Sequence, residues 1–236
     1  MTFIIYLRCE DGCILISDRL SLTSFGVSRE KQKCFVSQKA DFFLGGAGDG
    51  LKVDHIFTKI DAEGVNGDNV KQRLKEIIFE FHSVYTTIRA NIDLILIACE
   101  NGKPIPYEVK IRQDGTTAIN QVTSPHLCIG GESFDHLLAE YLLKKYKYTA
   151  LPLQVATQFA IAVMKEISER QDSKIGNLRD YGFDIFMFHY NDGYAYSKIR
   201  YSRVDSATIK FELELVKEDI YTEYEKHEIG SGESDN

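Results

Sequence analysis

The sequence has few of the residues that interrupt a folded domain. It contains 4 prolines among 236 residues and no tryptophan. No stretch rich in glycine, serine or proline occurs before the last few residues, and such stretches form the linkers between domains. Because 44% of the residues are hydrophobic, the chain can bury one substantial core. The sequence therefore predicts a single domain over residues 1–216, followed by an acidic, polar tail over residues 217–236 that is too hydrophilic to order itself.

Clustered basic residues and long apolar runs are also missing. The 28 Lys and Arg residues are outnumbered by 35 Asp and Glu residues, which gives a net charge of −7. Nucleic-acid binding depends on clustered Lys and Arg, so nucleic acid is not a predicted partner. No apolar run approaches the roughly 20 residues that span a bilayer, and the N-terminus lacks the features of a signal peptide. We therefore expect no membrane association and a cytoplasmic protein.

The sequence has no recognisable cofactor or metal motif. Its six histidines show no metal-like spacing with acids or cysteines. The glycine-rich run at residues 46–50 is not followed by the Gly-Lys-Ser/Thr of a phosphate-binding loop. The five cysteines form no C-x-x-C pair and lie mostly in apolar runs, as expected of buried thiols in a reducing compartment. We predict no cofactor and no metal ion.

Hydrophobic periodicity predicts strands in three groups that are separated by two pairs of helices. The predicted strands are residues 2–8, 13–18, 33–37, 42–44, 92–98, 107–112, 116–121, 127–129, 183–190, 194–200 and 208–216. The predicted helices are residues 50–62, 68–89, 133–147 and 153–170. This order is not the strand-helix alternation of a doubly wound sheet. It predicts an α+β fold in which antiparallel sheets are flanked by helix pairs, in a four-layer αββα sandwich.

Position 2 offers a possible nucleophile. A threonine hydroxyl reacts poorly unless a nearby base accepts its proton, and a chain-terminal amine, with a pKa near 8, can be that base. If Met1 is removed, Thr2 carries both the hydroxyl and the terminal amine. Taken alone, a threonine after the initiator methionine says little, so its meaning depends on the surrounding pattern.

The surrounding pattern resembles the proteasome β-subunit family of N-terminal-nucleophile hydrolases over most of the chain. The matching features, in family order, are the strand that begins at Thr2, the turn at residues 11–12, Asp18 at a strand end, Lys33 at a strand start, and Gly48 before a helix. The resemblance implies a threonine endopeptidase that acts on peptides or unfolded proteins. It also implies assembly as a homo-oligomer or with ring partner subunits.

The resemblance assigns a role to each matching residue. Thr2 would be the nucleophile, and Asp18, which follows it by sixteen residues, would orient and balance the charge of a catalytic lysine. The backbone N–H of Gly48 would help to form the oxyanion hole. Ser133 and Asp172 would position the terminal amine. Two departures accompany these last assignments, because residues 131 and 175 are glycine and isoleucine where the family usually has serine.

The position of the catalytic lysine has three candidate solutions. Counting without gaps from Thr2 puts Cys34 in the family's lysine position. Lys33 takes that position after a one-residue deletion before the strand and an insertion in the turn at residues 38–41, both of which loops tolerate. The Lys-x-Phe pattern favours Lys33 over Cys34 and over Lys31.

Three functions are compatible with this pattern. In a hydrolase, water releases the acyl group from Thr2. In a peptide ligase or transpeptidase, an incoming amine replaces water and joins two chains. In a catalytically inactive structural subunit, the doubtful lysine register and the missing serines reflect a site that has lost its chemistry.

Overall fold

The computed structural model describes residues 2–22, 28–37, 41–84, 91–100, 103–146, 148–170, 175–176, 182–190 and 196–201. Three predictions fall outside these residues: the strand over residues 208–216, the tail over residues 217–236, and the position of Asp172. None of the helices in the described part of the chain has the length and apolar character needed to cross a bilayer.

The described strands form two five-stranded sheets and one two-stranded sheet. The strands are β1 (Phe3–Arg8), β2 (Gly12–Asp18), β3 (Leu20–Leu22), β4 (Ser28–Glu30), β5 (Cys34–Val36), β6 (Phe42–Ala47), β7 (Ile92–Glu100), β8 (Lys103–Ile111), β9 (Thr117–Gln121), β10 (His126–Gly130), β11 (Phe183–His189) and β12 (Tyr196–Tyr201). The first sheet has the order β10-β1-β2-β11-β12, and the second has the order β5-β6-β7-β8-β9. The short strands β3 and β4 pair with each other. All of these pairings are antiparallel.

The first hairpin joins two strands that the sequence predicts. Strands β1 and β2 pair with Ile4 opposite Ser17 and Arg8 opposite Cys13. Successive β1 side chains enter different cores: Ile5 packs towards the helices of its own sheet, whereas Tyr6 packs towards the second sheet. Because both faces of β1 are buried, its sequence is an apolar run and not an alternation of polar and apolar residues.

Four α-helices occur in the described residues: α1 (Gly50–Ala62), α2 (Val70–Val84), α3 (Ser133–Lys145) and α4 (Leu153–Ser168). A single-turn 3-10 helix lies at Tyr148–Ala150. Helix α1 begins directly after β6 because the Asp49 side chain accepts the N–H of Leu51 at 3.2 Å, an N-cap that satisfies one free backbone donor. The first turn of α1 therefore lies beside the end of β6.

The buried side chains form three clusters. The first cluster joins the first sheet to α3 and α4, with Phe3 and Phe159 among its members. The second joins the second sheet to α1 and α2. The third contains residues of both sheets, such as Phe43 and Phe186, whose ring centres are 6.0 Å apart. The α+β class, with antiparallel sheets and helices, is confirmed.

The sequence did not predict β3 and β4. Each has three residues, which is too short to show the alternation by which a strand is recognised. They follow immediately after Asp18 and precede Lys33, so this small sheet lies within the segment that connects two of the predicted site residues.

Candidate active site

Thr2 directly precedes β1, which lies between β10 and β2 in the first sheet. Thr2 is partly exposed, and its carbonyl oxygen accepts the N–H of Gly131 at 2.7 Å. Thr2 lines a cavity of about 310 Å³, which we call the Thr2 cavity. The other residues that line it are Leu20, Lys31, Gln32, Lys33, Gly46, Ala47, Gly48, Gly50, Val53, Asp54, Phe57, Asp93, Gly130 and Gly131.

The Asp18 carboxylate is fully buried at the end of β2 and accepts four hydrogen bonds. Its Oδ1 atom accepts the N–H of Phe3 at 2.8 Å. Its Oδ2 atom accepts from the Nζ of Lys33 at 2.8 Å and from the N–H groups of Gly176 at 3.1 Å and Leu20 at 3.2 Å. One carboxylate therefore links the residue that follows Thr2 to the side chain of Lys33.

Lys33 is 5% exposed, and burial lowers the pKa of its amine below the ordinary lysine value. The neighbouring Asp18 carboxylate acts in the opposite direction but does not reverse the shift. A lysine with a lowered pKa exchanges protons at a pH closer to neutrality than an exposed lysine does. Such perturbed groups are common in active sites.

The other two candidates for the lysine position do not contact Asp18 through a hydrogen bond or ion pair that the structure shows. Cys34 is opposite Gly45 in the pairing of β5 with β6, it belongs to the cluster that contains residues of both sheets, and burial raises the pKa of its thiol to about 12. It is not among the residues that line the Thr2 cavity. Lys31 does line this cavity, but its Nζ lies 2.5 Å from Oδ2 of Asp54. Of the three candidates, the structure pairs Lys33 with Asp18.

Gly48 lies between β6 and the N-cap of α1. Its φ angle is 113°, and a Cβ at this position would lie 2.1 Å from the carbonyl oxygen of Asn91. No other residue fits here without a backbone shift. Its backbone therefore lines the Thr2 cavity without an obstructing side chain, next to the N-terminus of a helix, where negative charge is stabilised.

A second glycine pair, Gly130 and Gly131, holds the start of β1. Both have positive φ angles, 73° and 68°. A Cβ on Gly130 would lie 1.9 Å from the carbonyl oxygen of Thr2, and the N–H of Gly131 donates to this same oxygen. The sequence pattern marked Gly131 only as a departure from the family's serine, but its φ of 68° favours glycine, and a Cβ there would lie 2.6 Å from the ring of Phe3.

Ser133 lies apart from the residues that surround Asp18. It is the exposed first residue of α3 and lines a second cavity of about 700 Å³. This second cavity shares three residues with the Thr2 cavity: Asp93, Gly130 and Gly131. Its remaining lining residues are Glu108, Lys110, Arg112, Cys128, Ile129, Glu132, Ser133, His136, Leu137 and Glu140. Ser133 is therefore separated from the Thr2 cavity by the glycine pair.

A second buried ion pair lies next to Asp18 in the sequence. The Nη1 atom of Arg19 is 2.5 Å from Oδ1 of Asp184, which is fully buried and lies opposite Ser17 in the pairing of β11 with β2. The sequence analysis did not select this pair. The available signal was a single acid in the otherwise apolar β11, which predicts a buried charge with a partner.

No group of three or more His, Cys, Asp and Glu side chains within the described residues is arranged to hold a metal ion.

No family model and no curated protein matches the sequence. The structure is similar to solved structures of Anbu proteins. One is a Gly-1 mutant of Anbu from Hyphomicrobium sp. strain MC1, with a TM-score of 0.69 and 15% identity over 97% of this chain and 100% of that chain. Another is Anbu (ancestral beta-subunit) from Yersinia bercovieri, with a TM-score of 0.68 and 16% identity over 94% of this chain and 96% of that chain.

The chain therefore has a fold that these Anbu structures share over nearly the whole length of both chains. Because these similar structures are of Anbu proteins, the assignment to the proteasome β-subunit family is wrong. The residues that carried that assignment, such as Asp18 and Gly48, shape the Thr2 cavity and the strand ends around it. They indicate the fold and do not distinguish one family with this fold from another.

Proposed function

We propose that this protein is a threonine-type N-terminal-nucleophile peptidase in which Thr2, after removal of Met1, attacks the carbonyl carbon of a peptide bond. The observation that carries the proposal is the Asp18 carboxylate, which binds both the N–H of Phe3 and the Nζ of Lys33. This arrangement holds the lysine and the nucleophilic residue in a fixed relation. Both residues line one cavity together with Gly48.

The proposed reaction proceeds through an acyl-enzyme. The terminal amine of Thr2 accepts the hydroxyl proton, directly or through water, as the oxygen attacks the substrate carbonyl. The tetrahedral intermediate carries a negative oxygen, which the backbone N–H groups near Gly48 stabilise. The C–N bond then breaks, and the leaving amine takes the proton from the amine of Thr2. Water next attacks the ester on Thr2, which releases the acid and restores the hydroxyl.

Lys33 and Asp18 support this reaction electrostatically. When protonated, Lys33 places a positive charge beside the cavity in which the hydroxyl loses its proton, and this charge stabilises the developing alkoxide. Asp18 balances the lysine and fixes its position through hydrogen bonds of normal length. The roles of Ser133 and Asp172 in positioning the terminal amine stay predictions. Gly131 contributes a backbone bond to the Thr2 carbonyl that supports this positioning.

We also propose the four-layer αββα arrangement for a single domain over residues 1–216. Three separate clusters of buried residues support it: one on each sheet's helical side, and one that contains residues of both sheets. Each sheet then has one face against helices and the other against its partner sheet.

The proposed setting is the cytoplasm, with peptides or unfolded proteins as substrates and further copies or ring partner subunits as assembly partners. None of the five cysteines forms a disulfide bond, and four of them are buried, which suits a reducing compartment.

The decisive experiment combines intact mass, covalent labelling and peptide hydrolysis. Protein from the native cell should lack Met1, react with a threonine-directed electrophile at Thr2 alone, and cleave peptides. Thr2→Ala should abolish labelling and lower kcat/KM by about a thousandfold or more, as expected when a nucleophile is lost. Thr58→Ala, the same change at an exposed position on α1, is the matched control and should leave both unchanged.

The same samples separate the rival functions. A peptide ligase would convert a labelled amine acceptor into a conjugate in preference to releasing acid. A structural subunit would retain Met1, or would lose it and stay unlabelled while an established threonine hydrolase reacts, and either result would reject the proposed peptidase.

A further inference from the structure

Gly130 and Gly131 share one peptide group that lies against Thr2. The N–H of Gly131 donates to the carbonyl oxygen of Thr2 at 2.7 Å. The carbonyl of Gly130 belongs to the same planar, trans peptide group, so it points in the opposite direction to that N–H. The orientation of this single group therefore decides whether a donor faces the Thr2 carbonyl.

The two glycines give this peptide group little stiffness of their own. Both have positive φ angles, 73° and 68°. Glycine adopts positive and negative φ about equally readily, so a peptide group between two glycines can turn over with less steric resistance than one between residues that carry a Cβ. Contacts from outside the glycine pair must therefore hold its orientation.

His136 supplies such a contact at the carbonyl end. Its Nε2 lies 2.5 Å from the carbonyl oxygen of Gly130, and because a carbonyl oxygen can only accept, Nε2 carries the hydrogen. The ring also stands edge-on to the ring of Phe3, with centres 5.5 Å apart and planes at 87°. Phe3 lies opposite Gly130 in the pairing of β1 with β10. His136 therefore contacts both members of the residue pair next to Thr2.

The first turn of α3, which carries His136, is anchored to α4. The residue before His136 is Asp135, whose Oδ2 accepts the N–H of Glu132 at 2.7 Å. Its Oδ1 lies 2.9 Å from Nη1 of Arg170, which follows the C-cap of α4. The Asp135 side chain is 5% exposed, so salt and water screen this ion pair only weakly. His136 therefore reaches the peptide group from a fixed element.

We infer that His136 is a positioning residue, whose hydrogen bond to the Gly130 carbonyl keeps the N–H of Gly131 directed at the Thr2 carbonyl. Without this bond the peptide group turns over part of the time, and Thr2 loses the donor that holds its backbone. A small displacement of a reacting group costs more in rate than in substrate binding. The effect on catalysis rests on the proposed attack by Thr2, whereas the effect on the peptide group does not.

Three substitutions of His136 separate its donor from the bulk of its ring. In His136→Gln, the amide nitrogen stands close to the place of Nε2, so the bond to Gly130 can form. His136→Asn carries the same amide on a side chain that is one bond shorter, and His136→Leu has no donor. His126→Leu is the matched control, because it removes a ring between β10 and α3 whose nitrogens bind Tyr148 and Glu140 instead.

Amide exchange of Gly131 reports the orientation of the peptide group without turnover. It is measured by NMR on protein labelled at its glycine nitrogens, relative to the amide of Gly45 inside β6, which reports general loosening. Exchange should be about tenfold faster in His136→Leu and His136→Asn, the size of effect that one lost hydrogen bond of ordinary strength gives. It should stay within about threefold of the wild type in His136→Gln and in His126→Leu.

Steady-state peptide hydrolysis tests the effect on catalysis. In His136→Leu and His136→Asn, kcat should fall about tenfold while KM changes by less than about threefold, because a misplaced nucleophile slows the reaction without weakening substrate binding. His136→Gln should recover most of kcat, and His126→Leu should retain it. A merely structural role for His136 would lower stability without this split between kcat and KM, and glutamine would not rescue it.

The outcomes for this inference and for the proposed function can be told apart. Gly131 exchange at the wild-type rate in His136→Leu and His136→Asn, or equally fast exchange in all three variants, would overturn the inference. So would wild-type kcat in the leucine and asparagine variants of a protein that cleaves peptides. If His136→Leu does not fold, the glutamine and asparagine variants give the same comparison. If exchange follows the donor but the wild type neither labels nor cleaves, the His136 contact stands and the proposed peptidase fails.

Discussion

The Nζ atom of Lys33 lies 2.8 Å from the Oδ2 atom of Asp18, and both side chains are buried. The same carboxylate also accepts the N–H of Phe3, the residue that follows Thr2. Removing either partner of a buried pair leaves an uncompensated charge, so this pair ties the stability of the protein to the geometry of its candidate active site. Substitutions at and around this pair can separate the two effects.

Lys33→Met should lower kcat/KM by roughly a hundredfold or more, because it removes the charge beside the proposed alkoxide. Lys31→Met should change kcat/KM by less than tenfold, since Lys31 pairs with Asp54 and not with Asp18. Cys34→Ala should retain activity and lose some stability, because the thiol is buried in the cluster that contains residues of both sheets. Steady-state peptide hydrolysis measures all three. Loss of activity in Cys34→Ala with normal activity in Lys33→Met would reverse the assignment.

Asp18→Asn should lower the free energy of unfolding by about 3–5 kcal/mol and also abolish most activity. The amide nitrogen of asparagine is a donor, and it would replace one of the two carboxylate oxygens that together accept from four donors. Asp184→Asn is the matched control, because it breaks the other buried pair, with Arg19. Denaturant unfolding should show a comparable loss for both. Activity per folded molecule should fall far more in Asp18→Asn, and an equal fall in both would mean that Asp18 acts only on stability.

The stability contribution of Lys33 should depend on pH in a defined direction. Burial puts its pKa in the folded protein below the value of about 10.4 that it has when unfolded. Below the folded pKa, both states hold the proton, so the cost of burying the charge is constant. Between the two values, the unfolded state binds more protons, and stability rises with pH by at most about 1.4 kcal/mol per unit.

Urea unfolding of the wild type and of Lys33→Met over a pH series measures this difference. The wild type should gain stability relative to the variant as pH rises through the folded pKa of Lys33 towards the unfolded one. A difference that falls with rising pH over that interval would show that the pKa of Lys33 is raised and not lowered.

Gly48→Ala should reduce both stability and activity. The new Cβ would lie 2.1 Å from the carbonyl oxygen of Asn91 at a φ of 113°, so the backbone must move, and its N–H moves with it. Gly64→Ala is the control: Gly64 also has a positive φ, 59°, but a Cβ there meets nothing within 4 Å. We expect Gly64→Ala to lower the free energy of unfolding by about 1 kcal/mol and to leave activity unchanged. Wild-type activity in Gly48→Ala would exclude an oxyanion role for this N–H.

Thr2 and Asp18 were chosen as candidate site residues from their spacing along the chain. Thr2 and Asp18 are the two ends of one hairpin, whose turn fixes which residues lie opposite each other. The choice between Lys33 and Cys34 could not be made in this way. Neighbouring residues at a strand start face opposite sides, so an error of one residue exchanges a cavity residue for a core residue. The alignment of Lys33 and Cys34 with the family's lysine position depends on the segments between β2 and β6. These segments include β3 and β4, which the sequence did not predict.

Contacts between residues that are far apart in the sequence could not be predicted either. Arg19 and Asp184 are 165 residues apart, and no periodicity connects them. The contact of Gly131 with Thr2 could not be predicted either. In the sequence, the glycine only replaces a serine, whereas in the structure its N–H donates to the Thr2 carbonyl oxygen. The family assignment failed for a related reason. A pattern of strand ends and glycines describes a fold, and a fold can be shared at 15% identity, as it is with Anbu.

The position of Thr2 between two strands also affects how the protein moves. Chain ends usually fray, and their amides exchange with solvent at little free-energy cost. Here β1 lies between β2 and β10, with the N–H of Phe3 bonded to a buried carboxylate and the N–H of Gly131 bonded to the Thr2 carbonyl. Hydrogen exchange at these two amides therefore requires β1 to separate from its neighbours. The amide of Phe3, the residue that follows Thr2, would be among the most slowly exchanging amides of the molecule.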